Sequence, residues 1–462
     1  MSPHLILLSG IYGGDSISFT RPIACYQLKH WLSHFGIKAQ VIEFCGLMSS
    51  QTLAKSIAKF VGPETIGVGV SSSFWRTLPL NIDEAIRLTR DAYPGLKFIA
   101  GGAMKPREGV FDQRFVGESE DALVTWCQEQ LGQKGRQLFN RKFDITELGH
   151  RFDDTDCILP NEVLPIELGR GCIFKCRFCA HKNLGKAKHT YQRRHDLFLD
   201  EVRYNKERFG TTRYMYLDDT VNEDVDKVAN LARMPDDLGF EVEWMGYVRA
   251  DLVWAKKEQP AQLLRSGMRT CLFGIETLDL EAGRAVDKSW GARHAREYLP
   301  ELYHNLWGKQ VNIYTSLIAG LPGEGYESFQ KTVDWFYEQD LGYTRISPLA
   351  LYTHLKDEHM QSEFTRNHAQ YGYTNVRDDG YWEHGEVDLM SCLKFCEQAN
   401  AHLNEVNRVS CWGLAGIANV TPFSFTHLMQ QKSSSMTRML NTAGRLFVAR
   451  YLDLLNKVAQ NA

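Results

Sequence analysis

No stretch of this chain approaches the roughly 18 consecutive apolar residues that a membrane-crossing helix needs. Its opening, MSPHLILLSGIYGGD, carries neither a basic leader nor a small-residue cleavage site. That start reads as a first strand and not as a secretion signal, so a cytoplasmic protein is expected. An excess of one charge is missing as well. The 53 Lys and Arg against 56 Asp and Glu leave a formal charge of -3, with no general pull toward nucleic acid or anionic lipid. There is no short internal repeat, no low-complexity tract and no base-reading, peptide-docking or carrier-protein signature. An even cysteine count is lacking too. Eleven cysteines without a secretion signal argue against a disulfide framework and turn attention to metal or catalytic chemistry.

The 462 residues, 44% of them hydrophobic and 24% charged, suit a globular chain of two or three domains. Short β-rich runs at 4–10, 39–44, 65–73 and 96–102 alternate with helical patterns at 21–36 and 83–93. A last strand and helix follow at 114–132. This alternation predicts a doubly wound, Rossmann-like parallel sheet over residues 1–135, with ligands beyond the carboxyl ends of its strands. A polar stretch at 136–160 reads as a linker. Six further strand candidates, at 165–170, 213–218, 241–249, 270–276, 311–320 and 345–352, alternate with helices such as 196–210 and 326–339. They predict a partial (β/α)6 barrel of the TIM type over 161–355, again with its chemistry at the carboxyl ends of strands. Residues 356–462 read as a mainly helical extension ending in a helix at 442–460, expected to dock against the barrel.

Eight cysteines are scattered; Cys172, Cys176 and Cys179 form a tight group in RGCIFKCRFCAHK. Thiolates bind zinc, copper(I) or iron–sulfur clusters. A closed tetrahedral zinc site needs a fourth ligand, which His181 or His189 would supply. A 4Fe–4S cluster held by three cysteines instead leaves one iron open to a substrate or cofactor. The group follows the first barrel strand, where a barrel enzyme places its reactive centre, and spacing and position together favour the cluster.

The Cys-x3-Cys-x2-Cys spacing, with Phe178 before the last cysteine, resembles the signature of the radical S-adenosylmethionine (SAM) superfamily, over about residues 160–355. That resemblance implies a cluster held by Cys172, Cys176 and Cys179 whose open iron chelates SAM. It also implies one-electron cleavage of the sulfonium to methionine and a 5'-deoxyadenosyl radical, with an electron donor such as flavodoxin or ferredoxin. In YLDDT (216–220), Asp218 and Asp219 would meet the methionine amine, although either Asp219 or Thr220 would serve equally as a helix cap. Arg249 would pair with the methionine carboxylate or join an interior ion pair. Glu276 in FGIETLD would accept from the ribose hydroxyls or organise the substrate. Gly320 and Pro322 in LIAGLPGE would lie along the adenine. The basic tract 181–194 is a solvated loop or a lid.

The first domain resembles the cobalamin-binding domain that precedes the barrel in one branch of the superfamily. On that likeness Ser71, Ser72, Gly101, Gly102, Gly117 and Glu118 would lie near the nucleotide tail of cobalamin. The Asp-x-His-x-x-Gly motif that gives many cobalamin proteins an axial histidine is absent. Cys25, Cys45 and Cys127 do not follow the strand-end pattern of the methylthiotransferase branch and are expected to be packed thiols. Packing is also expected for Cys392, Cys396 and Cys411. The aromatic-rich 367–388 would cover the barrel mouth or form a packed cluster. The resulting expectation is a radical SAM enzyme that methylates an unactivated carbon of a small-molecule or natural-product substrate with cobalamin. Radical rearrangement, oxidation or ring formation without cobalamin is the alternative, and a structural or sensing metal protein the non-enzymatic one.

Overall fold

The computed structural model describes residues 2–10, 19–71, 78–102, 109–133, 142–179, 191–353 and 361–461, without the side chains of 437–443. The first sheet holds five parallel strands: β1 (Leu5–Leu8), β2 (Ala39–Ile42), β3 (Gly67–Ser71), β4 (Lys97–Gly101) and β5 (Gln113–Phe115). Their order is β2-β1-β3-β4-β5. β1 and β2 are buried on both faces, as an apolar strand between helix layers must be. Alternate residues divide between the layers. Leu5, Leu7 and Val41 pack with Trp31 and Leu123 of helices Ala24–Ser33 and Glu120–Gln130. Ile6, Leu8 and Ile42 pack with Leu53 and Ile82 of helices Ser50–Ala58 and Leu80–Ala92. The sequence reverses direction across the sheet between β1 and β3, which is where such sheets open a crevice at the carboxyl edge.

The second sheet runs β6 (Leu164–Ile166), β7 (Arg213–Tyr216), β8 (Glu243–Tyr247), β9 (Met268–Glu276), β10 (Asn312–Ala319) and β11 (Gly342–Pro348), all parallel and in sequence order. Six consecutive parallel neighbours joined by helical crossovers make the open barrel predicted from the sequence. The last strand begins three residues earlier than the apolar run suggests. Gly342, at φ +133°, brings the chain against Ile313, where a Cβ would stand 2.6 Å from the Ile313 carbonyl oxygen.

Side-chain alternation splits the barrel in two. Tyr214, Tyr216, Trp244, Phe273, Ile313 and Leu317 face the outer helices. Met215, Met245 and Tyr314 face inward and pack against an apolar helix, Cys411–Ala418. The Arg408 amide donates to Gly342 O (2.8 Å) at the foot of β11, and Asn419 Oδ1 accepts from the Val163 amide (2.6 Å) at the foot of β6. The helix therefore crosses beneath the strands and closes the amino end of the lumen.

The C-terminal region also contains a small antiparallel sheet, Tyr373–Thr374, Glu383–His384 and Val387–Asp388, which the sequence reading missed. The terminal helix, Ser433–Asn461, meets the barrel's inner cluster through Met436, but most of its buried face docks on the first sheet and not on the barrel as expected. Its Phe447, Tyr451 and Leu455, spaced four apart on one face, pack on Ile6, Leu8 and Ile42 of the first sheet. Tyr451 Oη also accepts from the Glu43 amide (2.7 Å). The supposed linker is likewise fastened down. Arg21 forks onto Glu162 (2.5 and 3.1 Å) and donates to the carbonyls of Asp156 and Cys157. No helix among the described residues is long and apolar enough to cross a membrane.

Candidate functional site

The three clustered cysteines lie on the loop leaving β6. They are half-buried, while the other eight are buried, as expected of packed thiols. Two neighbouring strand ends hold this loop. Thr220 Oγ1, beyond β7, is 3.6 Å from Cys172 Sγ, and Arg249 Nη1, beyond β8, donates to Cys176 Sγ at 3.6 Å. The Arg249 guanidinium lies 3.8 Å from the Phe174 ring centroid and meets the Asp251 carboxylate through Nε (3.0 Å) and Nη2 (2.6 Å). Its backbone is pinned by buried Asn222, which accepts from the Arg249 amide (2.8 Å) and donates to its carbonyl (3.1 Å). Burial pushes the Cys172 thiol up, with Asp219 adding to it. A metal at the sulfur reverses that preference, because its charge favours thiolate. Among the described residues no three His, Cys, Asp or Glu converge on one ion-sized point.

The paired aspartates diverge, as neighbours at a strand end do. Asp218 is buried on the helix side: Oδ1 accepts from the Leu168 amide (2.7 Å), and Oδ2 pairs with Lys227 (2.5 Å), which also binds Glu223 (3.0 Å). Burial pushes its carboxyl up to about 6 against the pull of Lys227. Asp219 lies close enough to Cys172 and Tyr247 for its charge to act on both. Neither Asp219 nor Thr220 is the helix cap; Asp224 caps Val225–Leu238, accepting from the Lys227 amide (3.0 Å).

At the end of β9, Glu276 adopts φ +68°, a left-handed conformation that costs a non-glycine residue about 1 kcal/mol or more. Lys288 holds it there, with Nζ 2.9 Å from Glu276 Oε1 and 2.6 Å from Gly274 O. The same ammonium is 5.9 Å from the Phe178 ring centroid. Arg249, Asp251, Gly274, Lys288 and Trp290 line a cavity of about 220 Å³ here. Gly320, at φ +84°, turns the chain beyond β10. A Cβ on it would stand 2.5 Å from the Trp382 ring, and its carbonyl accepts from Tyr373 Oη (2.8 Å). The aromatic-rich segment is thus, in part, a packed cluster clamping the LPG turn, in which Pro322 is buried. Both carboxylate oxygens of Glu324, just beyond, are buried without a hydrogen-bond partner. Burial pushes that carboxyl up to about 8.

In the first sheet, Ser71 ends β3 and Gly101 ends β4. Gly102 (φ +105°) follows β4, and Gly117 (φ +81°) and Glu118 follow β5. These residues share the carboxyl edge of the sheet. Among the described residues, a Cβ on Gly101 or Gly117 would meet nothing within 4 Å. Ser72, His181 and His189 lie outside the described residues, as does the basic tract up to residue 190. Arg193, from its described end, is buried in a pair with Glu201 (2.7 Å).

Residues 166–336 match the family model of the radical SAM superfamily. The chain carries a radical SAM domain. No curated protein matches the sequence. Among solved structures, the chain is similar to the radical SAM methyltransferase TsrM from Kitasatospora setae with cobalamin and a [4Fe-4S] cluster bound. That match has a TM-score of 0.62 and 14% identity, and covers 96% of this chain and 100% of that one. TsrM with tryptophan substrate and a SAM analogue bound gives a TM-score of 0.55 and 16% identity, over 75% of this chain and 74% of that one. The cobalamin-dependent SAM radical enzyme OxsB gives 0.55 and 10%, over 100% and 83%. Identities this low establish the shared fold, from the first sheet through the barrel.

A radical SAM domain is an enzyme's domain and binds SAM and a 4Fe–4S cluster, which sets aside the non-enzymatic reading. The sequence reading missed the groups that hold the three-cysteine loop and its neighbours in place. Arg170, two residues before the first cysteine, donates to Glu120 (2.5 Å), Glu167 (3.0 Å) and Gln27 (2.7 Å). It thereby ties the three-cysteine loop to two helices of the first sheet, one of which starts just after Gly117 and Glu118. Its place beside Cys172 was the one local signal. Asn222, Lys227, Lys288 and Glu324 act through partners that only the fold supplies.

Proposed function

We propose that this protein is a cobalamin-dependent radical SAM enzyme that methylates an unactivated carbon of a small molecule. The supporting observation is the junction at Arg170, which joins a three-thiol loop to two helices that leave the carboxyl edge of the first sheet. Cys172, Cys176 and Cys179 hold the cluster, and the Arg249 N–H toward Cys176 Sγ stabilises charge on that sulfur. Phe178, Asp219, Arg249, Glu276 and the Gly320–Pro322 turn take SAM. Asp218 supports them from behind through Leu168 and Lys227. Ser71, Ser72, Gly101, Gly102, Gly117 and Glu118 take the cobalamin tail. Bound there, these groups supply one-electron cleavage of SAM and a carrier for its methyl group; the protein binds, orients and excludes water. TsrM, with cobalamin and a [4Fe-4S] cluster bound, and the cobalamin-dependent OxsB are similar over nearly the whole chain. A cytoplasmic setting and a flavodoxin or ferredoxin donor complete the reading.

Radical chemistry without cobalamin is the second reading, favoured by the missing axial-histidine motif. Anaerobic turnover with SAM, reductant and cobalamin separates the two. Stoichiometric cobalamin with both 5'-deoxyadenosine and S-adenosylhomocysteine supports methyl transfer. An intact cluster with 5'-deoxyadenosine alone and no bound cobalamin refutes it.

A further inference from the structure

A further cleft lies at the amino end of the barrel, opposite the thiols. Beneath the feet of β7 and β8, a cavity of about 680 Å³ is lined by Asn161, Thr212, Arg213, Glu243, Ser424 and Arg450. That volume is in the range of small-molecule sites. Its walls come from distant parts of the chain: the approach to β6, the two strand feet, the segment after the Cys411–Ala418 helix, and the terminal helix. Ala418 ends the helix that closes the lumen and is part of the lining. The cleft therefore lies below the lumen, and its occupant is not the molecule that the thiol end of the barrel transforms.

The charges of this cleft do not balance. Arg213, half-buried at the start of β7, bridges two walls: Nη1 donates to Phe423 O (3.0 Å) and Nη2 to Asn161 O (2.6 Å). A guanidinium has five N–H groups, so most of its donors remain after these two bonds. The single carboxylate among the lining residues, Glu243, is spent elsewhere. Its Oε2 accepts from the Phe425 amide (3.0 Å) and its Oε1 from Thr426 Oγ1 (3.0 Å), with Arg269 Nε 3.6 Å away. Burial pushes the Arg213 guanidinium down from its ordinary value, and Glu243 offsets part of that from a distance. A cation that has lost part of its water and gained carbonyls but no contacting carboxylate is left short of counter-charge. Arg450, exposed on the terminal helix, brings a second cation to the same space. Two hydroxyls complete the polar wall, Thr212 and Ser424. Ser424 Oγ accepts from the His427 amide (3.3 Å) and keeps its own proton to donate.

We propose that this cleft is a second ligand site, which binds a small organic phosphate monoester by its phosphate. Arg213 and Arg450 take the phosphate from the barrel foot and from the terminal helix, and Thr212 and Ser424 donate their hydroxyls to it. Pro160, Val420 and Pro422, also in the lining, border the organic body. A phosphate presents three strong acceptor oxygens and so accepts donors from several elements at once. A carboxylate presents two in one plane, which a single guanidinium fork fills. The terminal helix that carries Arg450 packs on the first sheet, so a ligand held here ties that sheet to the foot of the barrel. The assignment goes beyond the radical SAM reading and does not rest on it.

The test is calorimetric titration of the full-length protein with AMP, adenosine, inorganic phosphate and malonate, with Tm measured on the same samples. AMP is expected to bind once per chain, at least tenfold tighter than adenosine, and to raise Tm. Arg450→Gln, at an exposed position that folding does not need, should weaken AMP about tenfold and remove the rise in Tm. Arg213→Gln should abolish AMP binding; should that variant fail to fold, Arg450→Gln still decides. No saturable AMP binding, adenosine binding as tightly as AMP, or an unchanged AMP affinity in Arg450→Gln overturns the proposal. Inorganic phosphate binding as tightly as AMP overturns the organic body, and malonate binding more tightly overturns the choice of phosphate. Release of 5'-deoxyadenosine from SAM by cluster-loaded protein should be unchanged in Arg450→Gln. A loss there would place the cleft within the reaction and overturn its separateness.

Discussion

Glu324 gives a pH dependence that can be worked out from the structure. Its carboxylate oxygens are buried beside Thr277 and Asp279, and burial raises the folded-state value to about 8 from an ordinary 4.5, against a smaller pull from the Thr277 hydroxyl. A carboxyl raised on folding binds its proton more tightly in the native state. Between those two values the native chain therefore holds more protons than the unfolded one, and stability falls as pH rises. The contribution is fully present below about 4.5 and lost as pH passes through 8. One pH unit corresponds to about 1.4 kcal/mol. Solvent reaching part of the residue reduces the total across the window to about 2–3 kcal/mol. Glu324→Gln keeps the shape without the proton. In urea unfolding at pH 5, 6, 7 and 8, the variant should match the wild type at pH 5 and be about 2 kcal/mol more stable at pH 8. Parallel curves across that range would refute the burial argument.

Other perturbations follow from named contacts. Arg170→Ala strips the partner from the buried carboxylates of Glu120 and Glu167, and should cost about 3–5 kcal/mol in denaturant unfolding; a loss below 1 kcal/mol would mean the junction is solvated. Gly320→Ala meets both the Trp382 ring and an unfavourable φ, so a loss of roughly 2–4 kcal/mol and a lower Tm are expected. Lys288→Met leaves Glu276 buried without its cation, and should raise the KM for SAM at least several-fold while iron content holds; an unchanged KM would separate this pair from SAM. Tyr451→Phe removes one buried hydrogen bond to Glu43, worth about 1 kcal/mol, without touching turnover.

The strand and helix series was legible because its signals are local: apolar runs bounded by Gly, Ser and Asp, and a three-cysteine spacing set directly after a strand. What stayed hidden depends on which distant elements meet. The segment CWGLAGIA is an apolar run that reads as nothing in particular until the barrel lumen encloses it. The terminal helix shows an apolar face at 447, 451 and 455, but its sequence does not say whether the first or second sheet receives it. The small sheet around Trp382 has strands of two residues, too short to carry a period. At the site, YLDDT announced two carboxylates, and only the pleat decides that Asp218 turns back to Lys227. Glu324 and Arg170 stood beside recognised motifs, yet burial gives the first its perturbed carboxyl and the other sheet's helices give the second its partners.

The central claim is that Cys172, Cys176 and Cys179 hold a cluster that cleaves SAM in a chain that also binds cobalamin. The most direct measurement is anaerobic reconstitution of wild type and Cys176→Ala, with iron, bound cobalamin and 5'-deoxyadenosine quantified together. The account predicts about four irons and one cobalamin per wild-type chain with 5'-deoxyadenosine formed, counts set by one cluster and one carrier. It predicts loss of 5'-deoxyadenosine in the variant with cobalamin retained. Cleavage of SAM undiminished in Cys176→Ala would contradict it.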